Sequence, residues 1–333
     1  MNALRVAVIG VGALGKHHAR ILSSLPGVSL AAVVDINRTR AEEIAAAHGT
    51  RALFDASQLD GQVDAVTIAV PTESHERIAR PFLEAGIPAL VEKPIARTVA
   101  EADALIAAAA RSGAALAVGH TERFNPAIAA ARQVLVDPRF IEVHRLGAFP
   151  ERSLDIDVVF DLMIHDLDIV LSLVPAEIET IEAVGVPVLT PRFDIANARL
   201  RFTNGCIANI TASRISRDRV RKIRFFQPFA YVSVDYAAQK LEVWRLIKGD
   251  GPMPAIQGGE VEVASEEPLK RELEDFVQAA ATGRAPLVSG EQGRRALDLA
   301  QQITDRMSVD LQPRKHESTK QDSHENTKTR NLF

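Results

Sequence analysis

The sequence has almost none of the residue on which small secreted proteins and zinc-binding domains depend. Cys206 is the only cysteine among 333 residues, which excludes an intrachain disulfide and a zinc site built from several thiolates. We therefore expect a reducing compartment, the cytoplasm. No apolar run approaches the roughly 20 residues that a membrane-spanning helix needs, and no cleavable signal precedes the first predicted strand. These absences predict a protein that is neither exported nor inserted in a membrane.

Positive charge is not in excess either. Lys and Arg number 39 against 43 Asp and Glu, for a net charge of −4, so we expect no nucleic-acid partner. The nine histidines have no cysteine partners, and we predict no metal site. The remaining composition, 47% hydrophobic and 25% charged, is that of a globular protein, and the length suggests two domains.

A glycine-rich turn stands near the start of the chain. Residues 5–10 form a short apolar run typical of a strand buried on both faces of a parallel sheet, and a predicted helix follows almost at once. Between them the pattern G-x-G-x-x-G would present unpaired backbone N–H groups to the pyrophosphate of a dinucleotide. In this interpretation Gly10 makes the tight turn, Gly12 admits the phosphates and Gly15 allows the helix to pack on the strand. The predicted cofactor-binding residues of this turn are Gly10, Gly12, Ala13, Leu14 and Gly15.

An acidic residue follows the second predicted strand. Asp35 lies 20 residues beyond Gly15, the spacing at which a carboxylate accepts hydrogen bonds from the adenosine ribose hydroxyls. A carboxylate there repels a 2′-phosphate, so the sequence favours NAD over NADP. Arg38 and Arg40 leave an alternative open, since either could pair with a 2′-phosphate or be a solvated charge at the start of the next helix. Arg38 is included among the predicted cofactor contacts.

Strands and helices are predicted to alternate through the first 120 residues. The predicted strands after the glycine turn are 29–34, 63–69, 89–91 and 115–118, and the predicted helices are 39–48, 73–85 and 99–112. Such alternation requires parallel strands joined by right-handed crossovers. The predicted fold class is α/β, with residues 1–120 forming an NAD-binding, doubly wound parallel sheet of the Rossmann type that binds ligands beyond the carboxyl ends of its strands.

The pattern changes in the second part of the chain. Helices at 126–135 and 158–173 precede six β-rich runs with turn signals such as Asn204-Gly205, which indicates antiparallel hairpins. The runs are 178–186, 195–202, 207–215, 220–226, 230–234 and 241–247. Residues 121–312 are therefore predicted to form an α/β domain for substrate binding, with a large, open, mainly antiparallel sheet. Because such a sheet needs a cover on its far face, we expect a homo-oligomer, a dimer or tetramer, that packs sheet on sheet. Residues 313–333 are predicted to be a disordered polar tail.

Two further motifs stand where strands of the first sheet are predicted to end. Pro71-Thr72 is followed by His75, and Glu92-Lys93-Pro94 follows a later strand. Together with the glycine turn, these motifs resemble the Gfo/Idh/MocA family, named after glucose–fructose oxidoreductase and inositol dehydrogenase. The resemblance implies a Rossmann domain, a second domain with an open sheet, and reversible oxidation of a sugar or polyol alcohol by a nicotinamide cofactor. The cofactor contacts implied here are Pro71, Thr72, His75, Glu92 and Lys93, although capping of the next helix explains His75 nearly as well.

The same resemblance implies a catalytic group made of Lys93, Asp161 and His165. Oxidation of an alcohol requires removal of the hydroxyl proton while hydride leaves the carbon, and a histidine, with an ordinary pKa of about 6.5, suits proton exchange near neutrality. We predict that His165 is the base and that Lys93 stabilises the alkoxide; the reverse assignment stays open. On a helix Asp161 would lie one turn from His165, where its carboxylate could orient the imidazole or contact a substrate hydroxyl.

Two stretches narrow the substrate class. Residues 120–126 and 161–166 resemble the members of the family that act on nucleotide-activated aminosugars, which implies oxidation at C3 of a UDP-linked N-acetylhexosamine. A free-sugar or inositol dehydrogenase is the alternative among enzymes, and a catalytically silent NAD-binding regulator is the alternative of another class. The predicted substrate-binding residues are Lys93, Arg123, Asn125, Asp161 and His165.

Basic residues crowd one predicted hairpin of the second domain, with only Asp218 opposing them. A solvated charged hairpin is one interpretation, and the other is that some of these residues bind the diphosphate of a nucleotide sugar. They are Arg214, Arg217, Arg219, Arg221, Lys222 and Arg224.

Overall fold

The first sheet of the protein is parallel and has six strands. The structure, a computed structural model, describes residues 3–149, 156–247 and 254–307. The strands are β1 (Leu4–Ile9), β2 (Val28–Val34), β3 (Arg51–Leu53), β4 (Ala65–Ile68), β5 (Ala89–Glu92) and β6 (Leu116–Gly119). They lie in the order β3-β2-β1-β4-β5-β6, and every neighbouring pair is parallel. This arrangement confirms the predicted doubly wound Rossmann sheet.

Helices connect these strands and cover the sheet on both faces. They are α1 (Gly15–Leu22), α2 (Arg38–His48), α3 (His75–Glu84) and α4 (Val99–Ser112). Side-chain caps explain where two of them begin, because the Asn37 Oδ1 accepts a hydrogen bond from the Arg40 amide and the Thr98 Oγ1 accepts one from the Glu101 amide. The predicted alternation is confirmed, and the strand it missed, β3, has three residues, too few for a periodic pattern.

The second sheet has eight strands. They are β7 (Phe140–Leu146), β8 (Ile178–Val186), β9 (Ile195–Phe202), β10 (Ile207–Ser213), β11 (Val220–Gln227), β12 (Ala230–Asp235), β13 (Lys240–Ile247) and β14 (Ala255–Val261). In the order β14-β13-β12-β11-β7-β10-β9-β8, all neighbours are antiparallel except β7 and β10, which confirms the open, mainly antiparallel sheet. Sequence patterns missed β7, in which Glu142 and His144 interrupt the apolar residues, and β14, a glycine-containing edge strand.

Helices cover one face of the second sheet. They are α5 (Pro126–Val134), α6 (Ile164–Leu173) and α8 (Gly290–Arg306), and they pack on alternate strand residues such as Ile141 and Val143. The prediction of one continuous α-helix over 158–173 is wrong, because Val159–Met163 form a wider π-type turn before α6 begins. Asp161 and His165 therefore do not share the uniform α-helical turn that the sequence pattern predicts.

The last two described helices tie the two sheets together. In α7 (Pro268–Thr282), Leu273 and Phe276 complete the core beside α1 and β1. In α8, Gly293 lies against Val118 of β6, while Ile303 belongs to the core of the second sheet. Both helices fall within the predicted second domain and still contribute to the core of the first sheet. The predicted tail lies outside the described residues, and none of the described helices combines the length and apolarity needed to cross a bilayer.

Candidate active site

The predicted glycine turn lies at the carboxyl end of β1. Gly10 has a φ of +83°, which side chains rarely permit, and a Cβ there would lie 2.6 Å from the Ala69 carbonyl oxygen. A Cβ on Gly15 would lie 1.8 Å from the Gly10 carbonyl oxygen, so α1 could not approach the turn. At Gly12 the nearest described atom to such a Cβ is the Arg40 Nη1, 3.6 Å away. The backbone at Gly12 is therefore open to an approaching pyrophosphate.

Asp35 lies beside this turn, at the end of β2. Its Oδ2 accepts a hydrogen bond from the Val11 amide at 3.0 Å, and the Arg40 Nη1 lies 3.3 Å from the same oxygen. A carboxylate has acceptor capacity beyond these contacts for a ribose hydroxyl. The Arg38 guanidinium, by contrast, stacks 4.1 Å from the ring centroid of Phe54. Of the two arginines that the sequence left open, the structure places Arg40, not Arg38, at the wall of the cavity.

A cavity of about 760 Å³ extends from the glycine turn to Lys93. Its walls are the carboxyl ends of β1, β2, β4 and β5, the edge at which doubly wound sheets bind ligands. The predicted cofactor residues that line it are Gly10, Gly12, Ala13, Leu14, Asp35, Pro71, Glu92 and Lys93.

Thr72 and His75 do not line the cavity. Thr72 belongs to the single turn before α3. His75 is buried, with its two ring nitrogens each 2.9 Å from a carbonyl oxygen, that of Val70 and that of Pro94. Burial lowers the pKa of His75, so the neutral ring donates to one of these oxygens. Neither predicted role, cofactor contact or helix cap, describes His75, which joins the loop after β4 to the loop that carries Lys93.

Lys93 contacts the π-type turn that precedes α6. Its Nζ donates a hydrogen bond to the backbone oxygen of Asp161 at 2.6 Å and lies 3.9 Å from the Asp161 Oδ1. The peptide bond between Lys93 and Pro94 is cis. Burial lowers the pKa of Lys93, the charges of Asp161 and Glu92 oppose this, and Arg145 adds to it. Two of the three predicted catalytic residues are thus in direct contact, one from the loop after β5 and one from the turn before α6.

His165 is half-buried at the start of α6. Burial first, then the charge of Lys93, holds its pKa well below the usual range, so the ring is neutral at pH 7 and able to accept a proton. Its Nδ1 is buried and has no hydrogen-bond partner among the described residues. The predicted orientation of this ring by Asp161 is not what the structure shows. Asp161 lies in the π-type turn, and its Oδ1 lies 3.9 Å from the Lys93 Nζ instead.

Arg123 and Asn125 hold segments of the protein together. The Arg123 Nη1 lies 3.1 Å from the Asp168 Oδ1, and both side chains are almost fully buried. Asn125 donates from Nδ2 to the Tyr236 carbonyl oxygen at 3.0 Å, and its Oδ1 caps α5 by accepting from the Ala127 amide at 3.1 Å. These contacts occupy both side chains, so we withdraw the prediction that Arg123 and Asn125 bind substrate.

A buried ionic cluster that the sequence did not indicate supports α6. Arg145 of β7 donates to the two Asp166 carboxylate oxygens, from Nε at 2.6 Å and from Nη2 at 3.0 Å, and to Glu122 from Nη1 at 3.2 Å. Its guanidinium lies 5.2 Å from the ring centroid of Tyr236. This bidentate pair fixes α6, and with it His165, against the sheet. The only signal in the sequence for this cluster was that Arg145 occupies an inward position of the alternating strand β7, and β7 was not predicted.

Buried polar groups also surround Glu92 at the end of β5. The His18 Nε2 lies 3.0 Å from the Glu92 Oε1, and both side chains are buried. Glu272 of α7 is buried as well, and burial, followed by the charge of Glu92, raises its pKa well above the usual range. The neutral acid is therefore the favoured form of Glu272, next to the floor of the cavity.

The described residues contain no group of three or more His, Cys, Asp or Glu side chains placed to hold a metal ion. Cys206 is buried, and burial raises the pKa of its thiol to about 11. A reactive thiolate is therefore not available at this cysteine near neutral pH.

Comparison with known proteins finds one family on both sheets. The model described as "Oxidoreductase family, NAD-binding Rossmann fold" matches residues 4–120, and the "GFO/IDH/MocA C-terminal domain" matches residues 134–226. The chain belongs to the Gfo/Idh/MocA oxidoreductase family. The predicted family and its NAD-binding Rossmann oxidoreductase class are confirmed.

Several relatives of this Gfo/Idh/MocA protein have a named activity. A UDP-N-acetylglucosamine 3-dehydrogenase from Acidithiobacillus ferrooxidans is 41% identical over 307 residues, 91% of this chain and 97% of the relative. A solved structure of the enzyme of that name from the same organism has a TM-score of 0.87 at 40% identity, covering 92% of this chain and 98% of its own. An inositol 2-dehydrogenase from Mycolicibacterium smegmatis is 35% identical over 192 residues, 54% of this chain and 56% of the relative. Levoglucosan dehydrogenase, solved with NADH and levoglucosan, shares the fold, with a TM-score of 0.83 at 20% identity over 92% of this chain and 97% of its own.

Proposed function

We propose that this protein is an NAD-dependent dehydrogenase that oxidises C3 of a UDP-linked N-acetylhexosamine. The observation that carries the chemistry is the contact between Lys93, at the wall of the cavity, and Asp161, with the neutral imidazole of His165 nearby. The nucleotide sugar and its reacting carbon are proposed from the relative that is 41% identical over 91% of the chain. The inositol dehydrogenase covers 54% of the chain, which gives less support to a polyol substrate.

The residues of the site divide the reaction between them. The glycine turn and Asp35 would hold the dinucleotide, with the pyrophosphate at Gly12 and the ribose at the carboxylate. The bound nicotinamide would supply the acceptor for the hydride that leaves the sugar carbon. His165 accepts the hydroxyl proton, and the Lys93 ammonium stabilises the alkoxide as the carbonyl bond forms. Asp161 holds that ammonium in place through its backbone oxygen.

Incubation of the purified protein with NAD and a panel of UDP-sugars, free sugars and inositol tests this function. We expect reduced nicotinamide to form with UDP-N-acetylhexosamines, and we expect deuterium placed at C3 of the sugar to move into the reduced nicotinamide. Oxidation of inositol or free sugars alone would favour the alternative enzyme class, and transfer of label from another carbon would refute the position. No substrate-dependent reduction across the panel would favour a catalytically silent regulator.

Three of the six residues in the predicted basic cluster form ion pairs away from the site. Arg214 is buried and pairs with an aspartate. Two other members lie on the open face of the second sheet, where each is paired with an acid on a neighbouring strand. These pairs are Lys222 with Asp235 and Arg224 with Glu142. For these three residues, contact with a nucleotide is not proposed.

Arg221 differs from them. It occupies the helix-covered face of β11 together with the buried Ile223 and Phe225, opposite Arg145 in register. Its charge is among those that lower the pKa of His165. Arg221 is exposed, and no described carboxylate forms an ion pair with it. We propose that it contacts the diphosphate of the nucleotide sugar, since a guanidinium matches phosphate oxygens with paired hydrogen bonds.

Replacing Arg221 by glutamine is expected to raise the KM for UDP-N-acetylglucosamine and the Kd of UDP by about 10- to 100-fold, because a hydrogen bond to a charged group contributes about 1.5–3 kcal/mol. Steady-state kinetics and calorimetric titration with UDP measure the two effects. Lys222→Gln, on the opposite face of the same strand, is the matched control and should leave both constants unchanged. An equal KM and an equal Kd of UDP for Arg221→Gln and the wild type would refute the proposed phosphate contact.

We propose NAD rather than NADP as the cofactor because the Asp35 carboxylate lies beside the glycine turn. Asp35→Ser is expected to shift the ratio of the two dissociation constants toward NADP by about 10- to 100-fold, because the change removes a ribose acceptor and frees Arg40 to pair with a 2′-phosphate. Calorimetric titration with each dinucleotide measures the ratio. Asp64→Ser serves as the control, since Asp64 pairs with Arg5 away from the cavity. Tighter binding of NADP than of NAD by the wild-type protein would contradict the preference.

The open face of the second sheet supports the proposed homo-oligomer. Phe140, Phe226, Tyr231 and Trp244 are successive cross-strand neighbours there, with ring centroids 5.5 Å apart for Phe140 and Phe226 and 5.2 Å apart for Phe226 and Tyr231. Trp244 is 42% exposed, and a continuous apolar patch of this kind marks an interface. We expect a dimer or tetramer by light scattering, and a monomer at micromolar concentration would contradict the proposal.

Location in the cytoplasm is likewise a proposal, supported by the single cysteine of the chain. Fractionation of cells that make the protein checks it, and recovery in the envelope fraction would refute it.

A further inference from the structure

His120 is a buried histidine whose ring has no hydrogen-bond partner. It follows β6 at the carboxyl end of the first sheet and is 1% exposed, and neither ring nitrogen is paired with any described residue. Every imidazole carries at least one N–H donor, and an unpaired donor in the interior costs about 1–3 kcal/mol. A polar side chain kept at that cost beside a catalytic group requires a functional explanation.

Two more unpaired atoms lie on α6, near this ring. The Nδ1 of His165 is buried without a partner, and the ring of His120 stands perpendicular to that of His165 with 6.4 Å between the centroids. Asp168 follows His165 by three residues and is 2% exposed. Its Oδ1 accepts from Arg123 at 3.1 Å, but its Oδ2 is buried and unpaired. Among the charged groups that act on His120, Asp168 has the largest effect.

We propose that His120 is a positioning residue that bridges His165 and Asp168. One ring nitrogen of His120 donates to the free Oδ2 of Asp168, and the other accepts from the Nδ1–H of His165. This arrangement leaves the Nε2 of His165 unprotonated, which is the form that can take the hydroxyl proton of the substrate. The inference rests on the proposed role of His165 as the base.

The bridge gives a partner to each of these unpaired groups. Catalytic hydrogen bonds are often long or unformed without substrate and tighten only when it binds. Burial lowers the pKa of His120, with Lys93 and Arg123 adding to this and Asp168 and Glu92 opposing it. The neutral ring therefore has one donor and one acceptor, as the bridge requires.

The tautomer of His165 is a direct readout of this bridge. Imidazole nitrogen chemical shifts of the NAD-loaded protein report which nitrogen carries the proton, and a His165→Gln variant assigns the signals. We expect a protonated Nδ1 and an unprotonated Nε2 in the wild type. His120→Leu, which has no acceptor, should shift the proton toward Nε2, whereas His120→Gln, whose amide oxygen accepts, should keep the wild-type pattern.

A wild-type His165 protonated at Nε2, or identical spectra for the wild type and His120→Leu, would overturn the inference. If His120→Leu does not fold, the wild-type and His120→Gln spectra still decide it, because either one with the proton on Nε2 contradicts the bridge. No substrate turnover enters this measurement. Failure of the bridge is therefore distinguishable from failure of the proposed sugar specificity, which the substrate panel reports.

Kinetics of the same two variants separate positioning from packing. We expect His120→Leu to lower kcat by about 10- to 100-fold, the usual loss when the partner of a functional imidazole is removed, with the KM for UDP-N-acetylglucosamine and the Kd of NAD unchanged. His120→Gln should recover most of kcat. An equal loss in both variants indicates a packing role only and refutes the inference.

The pH profile of kcat gives a further check, because a purely packing role of His120 would leave its acid limb unmoved. Without His120 the protonated form of His165 loses the acceptor that the bridge supplies, while Lys93, Arg145 and Arg221 still oppose its charge. A charged His120 would oppose it as well, but burial keeps the His120 ring neutral, so its removal relieves no repulsion. The pKa of His165 falls, so the acid limb of kcat should move to lower pH in His120→Leu. An unmoved limb contradicts the bridge.

Discussion

Replacing Lys93 by methionine lowers kcat by about 10³-fold, the loss expected when a group that stabilises a developing oxyanion is removed. Methionine keeps the length of the side chain, but it carries no charge and cannot donate to the Asp161 backbone oxygen. Steady-state turnover measures the loss, and titration with NAD should give an unchanged Kd. Lys240→Met is the control, because Lys240 of β13 pairs with Glu260 of the edge strand β14 and both side chains are exposed. Full turnover by Lys93→Met would refute the catalytic assignment.

The alkaline side of the pH profile decides between the two assignments of the base. Burial lowers the pKa of Lys93 from its ordinary value of 10.5, so the ammonium is lost at a lower pH than in a free lysine. If the ammonium stabilises the alkoxide, kcat falls as pH rises through that pKa. If the neutral amine were the base, kcat would rise instead. We expect the fall, with His165 as the base.

Replacing Arg145 by methionine destabilises the fold by about 3–5 kcal/mol, the usual cost of leaving one member of a buried ion pair without its partner. The change strips Asp166, which is fully buried, of a bidentate contact, and it also unpairs Glu122. Denaturant unfolding measures the loss. Adding Asp166→Leu to the variant should recover part of it, because the uncompensated carboxylate is then removed as well. A loss below about 1 kcal/mol would mean that this cluster stabilises the fold no more than an exposed ion pair does.

The destabilisation by Arg145→Met should shrink in acid. Burial raises the pKa of Asp166 even with Arg145 present, and removal of the guanidinium raises it further. A group whose folded pKa is raised favours the protonated folded state, so stability is lost as pH rises through that pKa and regained below it. The free energy of unfolding should therefore fall more between about pH 5 and about pH 8 for the variant than for the wild type.

Features whose causes are local were predicted well. The α4 helix has the predicted bounds, Val99–Ser112, because Thr98 caps its start and Gly113, in the left-handed region, ends it. The glycine turn is also local: Gly10 needs its positive φ within the turn, and the backbone contact at Gly15 is with Gly10 itself. Strands β8 and β9 likewise have the predicted bounds. The alternation of β9 is regular along its length, whereas that of β8 is interrupted between Ile178 and Thr180, where its register with β9 shifts.

Features that depend on distant partners were predicted poorly. Whether Arg38 or Arg40 reaches the cavity depends on Phe54, which stacks on Arg38. Asn125 and Arg123 were predicted to bind substrate from their place in a motif, but contacts with Tyr236 and Asp168 occupy them. The partners are separated by 111 and 45 residues, and no periodic pattern connects residues so far apart.

The amino-acid order was enough to determine the α/β class, the glycine turn and the acid that follows β2, because a strand, a cap or a tight turn depends on neighbours within a few positions. The proposed catalytic group followed from the family resemblance. The tertiary structure decided that Lys93 meets Asp161 rather than that Asp161 orients His165. It also decided that His120 and Asp168 lie near that imidazole. Both outcomes depend on how the two sheets pack against the helices that they share. That packing is decided by contacts between residues far apart in the chain.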